Sequence, residues 1–147
     1  MKIYQALLRL ETHQRALIDH IEQATALLAR PAIEAREPLA HARWIMVRLL
    51  HEYQVFKHAE IFDPAIRRGT PAQVQLASRM KADCIAAAEG YRAYVREWSA
   101  SDVAARWDEY RPATRAMTDR LRAHIATERR TVADLLAGAE RTRRPAG

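Results

Sequence analysis

The chain carries a single cysteine, Cys84. It can form no internal disulfide, and a thiolate-rich zinc site is excluded. No apolar run approaches the ~18 residues that a membrane span needs. Residues Met1 to Leu10 include Lys2 and Arg9 but no signal-peptide hydrophobic stretch or small-residue cleavage site, so the expected location is the cytoplasm. A Gly-rich phosphate loop, a nucleophile elbow and an HExxH helix are all missing, and with them any positive sign of an enzyme. Strand patterns and internal repeats are missing too.

Lysine is also scarce: Lys2, Lys57 and Lys81 are the only ones. The net charge of +6 is therefore nearly all arginine. Arginine binds phosphate well, yet the basic residues are spread along the chain and interleaved with acids. Only Arg141, Arg143 and Arg144 form a cluster without acidic partners. That pattern reads as a solvated surface with a basic tail, so neither nucleic acid nor a membrane is the expected partner. The Ala- and Arg-heavy composition fits a G+C-rich bacterial genome.

What is present is helical periodicity over 147 residues, the usual size of one domain. A domain of this size buries roughly 68–70% of the surface its unfolded chain exposes. It needs no metal to fold, and any metal would be functional. Ile3, Leu7, Leu10, Leu17, Ile21, Ala24 and Leu28 form one stripe of a first helix over 3–29, which Pro31 stops. A second helix is expected over 38–66, with Pro38 in its first turn and Gly69 just past its end. Thr70-Pro71-Ala72-Gln73 reads as a capping box that opens a third helix over 71–98. Leu76, Met80, Cys84, Ala87, Tyr91, Val95 and Trp98 lie on its inner face. A short helical segment is expected over 103–110. Pro112 then starts or kinks a last helix that ends near Gly138, with Met117, Leu121, Ile125, Val132 and Leu135 inward. Four amphipathic helices on short connections predict an all-α, antiparallel up-down four-helix bundle over 1–138, with a disordered basic tail over 139–147.

The polar residues on the apolar stripes carry the functional signal. At ~100° per residue, Met117, Leu121, His124, Glu128, Val132 and Leu135 share one strip, so His124 and Glu128 sit in mid-face one turn apart. The second helix has Ile45, Leu49, Tyr53, Phe56 and Glu60 on its expected inner strip. The first helix adds Gln14 with His13 beside it, and the third adds Asp83 next to Cys84. In an up-down bundle these positions meet at one end. Burying such groups without partners is costly. Histidine and carboxylates converging from several helices form metal sites in bundles, and that donor set suits iron, zinc or manganese. The alternative is a metal-free network in which Glu60 and Glu128 pair with His13, His124, Tyr53 or Tyr91.

His124-Ile125-Ala126-Thr127-Glu128 resembles the HxxxE motif in the last helix of hemerythrin-like (HHE cation-binding) domains. Glu60-Ile61-Phe62-Asp63-Pro64 is similar to the end of that family's second helix, and His13 stands where the family places its first ligand. The resemblance spans about Leu10 to Leu136. It implies a four-helix cation-binding fold with non-haem metal in its core. Where the family keeps a histidine four residues before the second helix's glutamate, this chain has Phe56, and its third helix has no histidine. The implied site is thus reduced: His13, Glu60, His124 and Glu128, with Asp83 or Cys84. Iron or zinc is the implied cofactor, and a cofactor-free site stays open beside it.

Trp44, Val47, His51, His58 and Phe62 fall on the outer face of the second helix. A second apolar face on one helix is a candidate partner surface, and a homodimer is the expected assembly. Cys84 reads as a small core residue. Two functions remain: a cation-binding or sensing domain with a reduced site, or a metal-free relative acting as a homodimeric regulatory or interaction module.

Overall fold

The computed structural model describes residues 3–143, with side chains through residue 138. Helix α1 spans Ile3–Leu27, α2 Ala32–Lys57, α3 Asp63–Arg68, α4 Pro71–Ser99 and α5 Trp107–Arg143. A π-helical turn, His58–Phe62, joins α2 to α3 without a break in the helical path. The result is four long helices, and no strand occurs among the described residues. None of these helices is long and apolar enough to cross a membrane.

The stripe of α1 is buried as its spacing demands, at Ala6, Leu10, Gln14, Leu17 and Ile21. Full burial of each large aliphatic side chain is worth roughly 1.5–3 kcal/mol, so such a stripe fixes which face turns inward. The amides of Leu28, Ala29 and Arg30 bond back to the carbonyls of Thr25, Ala26 and Leu27 and close the helix before Pro31.

Helix α2 starts at Ala32, earlier than Pro38 suggests, and carries that proline inside it. Pro38 forfeits only the bond to the Glu34 carbonyl. Its neighbours Ala35 and Leu39 bury completely against Leu28, Trp98, Val103 and Tyr110, and this packing outweighs the local penalty. Helix α5 likewise begins at Trp107 and runs through Pro112, so of the short segment expected over 103–110 residues 107–110 belong to this long helix, while 103–106 are turn and not helix. It continues to Arg143, past Gly138. Residues 139–143, which the sequence assigned to the tail, are thus helical, and 144–147 lie outside the described residues.

The α3–α4 junction follows the sequence closely. Thr70 Oγ1 accepts from the Gln73 amide at 3.3 Å, and Gln73 Oε1 accepts from the Thr70 amide at 2.8 Å, the reciprocal capping box. Gly69 is extended, with φ −79° and ψ 168°. The glycine is required there by close approach: a Cβ would collide with the Ala65 carbonyl.

Contacts between the long helices pair residues in reversing chain order. Gln14 meets Tyr53 and His20 meets Ala42 between α1 and α2. Lys57 meets Cys84 and Arg43 meets Tyr91 between α2 and α4. These pairings bring the middle of α1, the end of α2, the middle of α4 and the second half of α5 around one point of the core.

Candidate cation site in the helical core

At that point sits Lys57, only 2% exposed. A buried ammonium demands compensation, and here it finds three partners. Its Nζ donates to Glu128 Oε1 and Oε2 at 2.8 and 2.7 Å, and to Cys84 Sγ at 3.1 Å. It also lies 3.9 Å from the centre of the Tyr53 ring, whose π face attracts cations. One turn from Glu128 on α5, His124 Nε2 reaches Glu128 Oε1 at 3.2 Å. The ligand atoms of Cys84, His124 and Glu128 all lie within 4.8 Å of one another, close enough to hold a metal ion.

A second layer fixes the first. Gln14, fully buried, donates through Nε2 to the Tyr53 hydroxyl at 2.9 Å and to the Ile125 carbonyl at 3.3 Å. Its Oε1 accepts from Arg129 Nε at 3.0 Å. Tyr53 is thereby held with its ring against Lys57. A small cavity of about 30 Å³ adjoins the cluster, lined by Tyr53, Lys57, Cys84 and His124 among others.

Electrostatics follow from this packing. The His124 imidazole is raised to about 9, first by its interaction with the Cys84 sulfur and then by its bond to Glu128, which together outweigh burial. It is therefore a cation at neutral pH. Burial pushes the Glu128 carboxyl upward, but the hydrogen bond from His124 and the charge of Lys57 win, and it is held below its ordinary value. Burial, followed by the Glu128 charge, drives the Tyr53 phenol upward, so it stays protonated.

Of the residues singled out from the sequence, His124 and Glu128 stand in the cluster, joined by Cys84. Glu60 does not: it is exposed. The cause is the π-helical turn at His58–Phe62. It inserts one extra residue into the helical register, so Ile61 and Phe62 face the core where unbroken α-helix would have placed Glu60. Asp83 is exposed as well, because the inner face of α4 runs through Ala77, Met80, Cys84 and Tyr91, and Asp83 is rotated ~100° from Cys84. His13 is half-buried at the surface, its ring stacked on Phe56 at 5.0 Å. Burial and the Arg9 charge lower its pKa. His13 and Glu60 do share a site, but it is an open groove of about 360 Å³ between α1 and α2, which His51 and Glu52 also line.

The expected outer face of the second helix is altered at its far end by the same extra residue. Trp44 and His51 are exposed, and Val47 is half-buried against the core. Phe62 is completely buried and can present nothing to a partner. His58 is half-buried with its ring 5.5 Å from that of Phe62, and burial followed by the Lys81 charge lowers its pKa.

Lys57 is the residue that sequence reasoning overlooked. A signal was available: it is one of only three lysines and stands four residues after Tyr53, on the same face. No family model, curated protein or solved structure matches the chain.

Proposed function

We propose that the chain is a hemerythrin-like cation-binding or sensing domain with a reduced, mononuclear site at Cys84, His124 and Glu128, carried on an antiparallel up-down four-helix bundle. The reversing order of the interhelical contacts supports the topology. The observation that carries the function is the convergence of sulfur, imidazole and carboxylate on a point already held by a positive charge, the Lys57 ammonium. The residues fit a metal by their chemistry. A set with a soft sulfur donor and a borderline imidazole suits zinc or iron(II) and disfavours magnesium or calcium. When bound, such an ion supplies a fixed charge that ties α4 to α5. Cys84 supplies the donor from α4, and His124 and Glu128 supply theirs from one face of α5.

Lys57 must yield its contacts with Glu128 and Cys84, and His124 and Cys84 must release their protons, for this to happen. Leaving an ammonium without its partners costs several kcal/mol. A bound ion must return more than that cost, and the Lys57 ammonium is in this reading a resident competitor that weakens affinity.

A second reading has its own support. Lys57 already satisfies both oxygens of Glu128, so the cluster is complete as a metal-free ion network. In that reading the domain works through its surface as a homodimeric regulatory or interaction module. Trp44 and Val55, 61% and 53% exposed on α2, are the candidate contacts.

Metal analysis of protein purified without chelator, followed by titration with zinc and anaerobic iron(II), separates the two. One equivalent bound in the wild type and lost in His124→Ala supports the cation-binding domain. A wild type that takes up neither metal overturns it. For the second reading, Trp44→Glu should convert a dimer into a folded monomer by light scattering, and a wild type that is already monomeric at high concentration defeats it.

A further inference from the structure

Away from the Lys57 cluster, α2 buries a second cation. Arg43 is only 7% exposed, and no carboxylate pairs with it among the described residues. Its Nη1 donates to the Tyr110 hydroxyl at 2.9 Å, and its guanidinium lies 5.6 Å from the centre of the same ring. Its Nε is shielded from solvent and has no hydrogen-bond partner. A phenol alone therefore answers a full positive charge in the core. Buried charges are otherwise found paired, and an orphaned buried donor is rare enough to require an explanation.

Arg43 lines a partly open cavity of about 30 Å³ between α1, α2, α4 and α5. Its polar wall is built of donors and neutral groups. The Tyr94 hydroxyl lies 2.7 Å from Thr114 Oγ1 and 3.4 Å from the Tyr110 hydroxyl, and His20 is tied to the Ala42 carbonyl through Nε2 at 2.9 Å. No acidic side chain lines it. The rest of the wall is apolar, including Ile21, Met46, Met117 and Leu121. Space for one water needs roughly 10–15 Å³ by the same measure, so this cavity admits only a few heavy atoms.

We propose that this cavity is a binding site for a small monocarboxylate of formate or acetate size, with Arg43 as its counter-ion. Charge selects an anion, because the wall offers a guanidinium and hydroxyls and no competing carboxylate. The small volume favours the smallest anions. The apolar wall accommodates a methyl group. The site is independent of the cation reading, since it shares neither Lys57, Cys84, His124 nor Glu128.

The test is an NMR titration of the arginine Nε–H resonances of the intact chain with acetate, set against acetamide and chloride at constant ionic strength. Acetate should move one buried Nε–H resonance saturably and raise Tm, whereas acetamide, the neutral isostere, should not. Arg43→Met should remove the saturable response. Should Arg43→Met fail to fold, Thr114→Val should weaken acetate binding about tenfold through loss of a hydroxyl donor. An Nε–H that ignores acetate, or that responds equally to acetamide, overturns the proposal. Saturation by chloride at the same concentration overturns the carboxylate assignment.

Discussion

Lys57 and Glu128 face each other across the core, with Nζ 2.8 and 2.7 Å from the two carboxylate oxygens and side chains only 2% and 5% exposed. A pair so thoroughly removed from water owes its stability to mutual compensation, because each ion alone carries a desolvation penalty of several kcal/mol. The remaining contacts of Lys57, to Cys84 Sγ and the Tyr53 ring, add an acceptor and polarisable surface but no second carboxylate.

Breaking this pair from one side should therefore be far worse than removing it. Lys57→Met is expected to destabilise the metal-free protein by about 3–5 kcal/mol, because it leaves Glu128 with His124 as its only cation. Lys57→Met combined with Glu128→Leu should recover most of that loss, since His124, without its carboxylate, can release its proton and no unpaired charge then remains buried. Urea denaturation of the single and double variants checks this. Additive losses would show that the two residues are not energetically coupled.

The charge state of His124 makes the metal-free protein sensitive to alkaline pH. Its folded value is about 9, above its ordinary 6.5, chiefly through the Cys84 sulfur and then Glu128. A raised value means that the folded state holds the proton more tightly. This contribution to stability is complete below about 6.5 and is lost as pH rises through about 9. Glu128 behaves in the opposite sense. Its carboxyl is held below the ordinary value, so its contribution is present above the unfolded value and lost as pH falls through the folded one. Thermal unfolding from pH 4 to 10 should show the highest Tm between these limbs. His124→Gln should flatten the alkaline limb, and an unchanged limb in that variant would refute the assignment.

The helices and most of their inward faces were legible because apolar spacing is a local property. The α1 stripe, the α4 capping box at Thr70 and Gln73, and the α5 strip through His124 and Glu128 all follow from it. What escaped was the register after Lys57. A single inserted residue in the π-helical turn moves Glu60 out and brings Ile61 and Phe62 in, and nothing in the apolar pattern marks where such an insertion falls. The prolines misled for a related reason. Pro38 and Pro112 are tolerated within helices because of distant packing around Tyr110, Trp98 and Leu39, which local propensity does not contain. Lys57 was passed over because a lysine is assumed to be exposed until a buried carboxylate is known to face it.

That register shift yields a sharp contrast between carboxylates. Glu60→Ala and Asp83→Ala should each change stability by no more than about 0.5 kcal/mol, as expected of exposed positions. Neither should alter zinc uptake. Glu128→Ala, by comparison, should abolish uptake and strongly destabilise the metal-free protein by stranding the Lys57 ammonium. A loss of zinc binding in Glu60→Ala would restore Glu60 to the site and contradict the surface position that the π-helical turn gives it.

The role of Cys84 can be read directly with cobalt(II), which takes the same kinds of ligand as zinc and reports sulfur coordination through charge-transfer absorption. Cys84 Sγ lies in the ligand cluster with His124 and Glu128, and 3.1 Å from the Lys57 ammonium. Wild-type protein titrated with cobalt should develop the sulfur band at one equivalent. Cys84→Ser should lose that band and bind more weakly, since an alcohol is a poor substitute for a thiolate donor. Lys57→Met should keep the band and bind more tightly, because the competing positive charge is gone while all three donors remain. An identical spectrum in Cys84→Ser would remove the sulfur from the ligand set. A wild type that takes up no cobalt while Lys57→Met does would make Lys57 the permanent cation of the core, leaving the metal-free interaction module as the function to pursue.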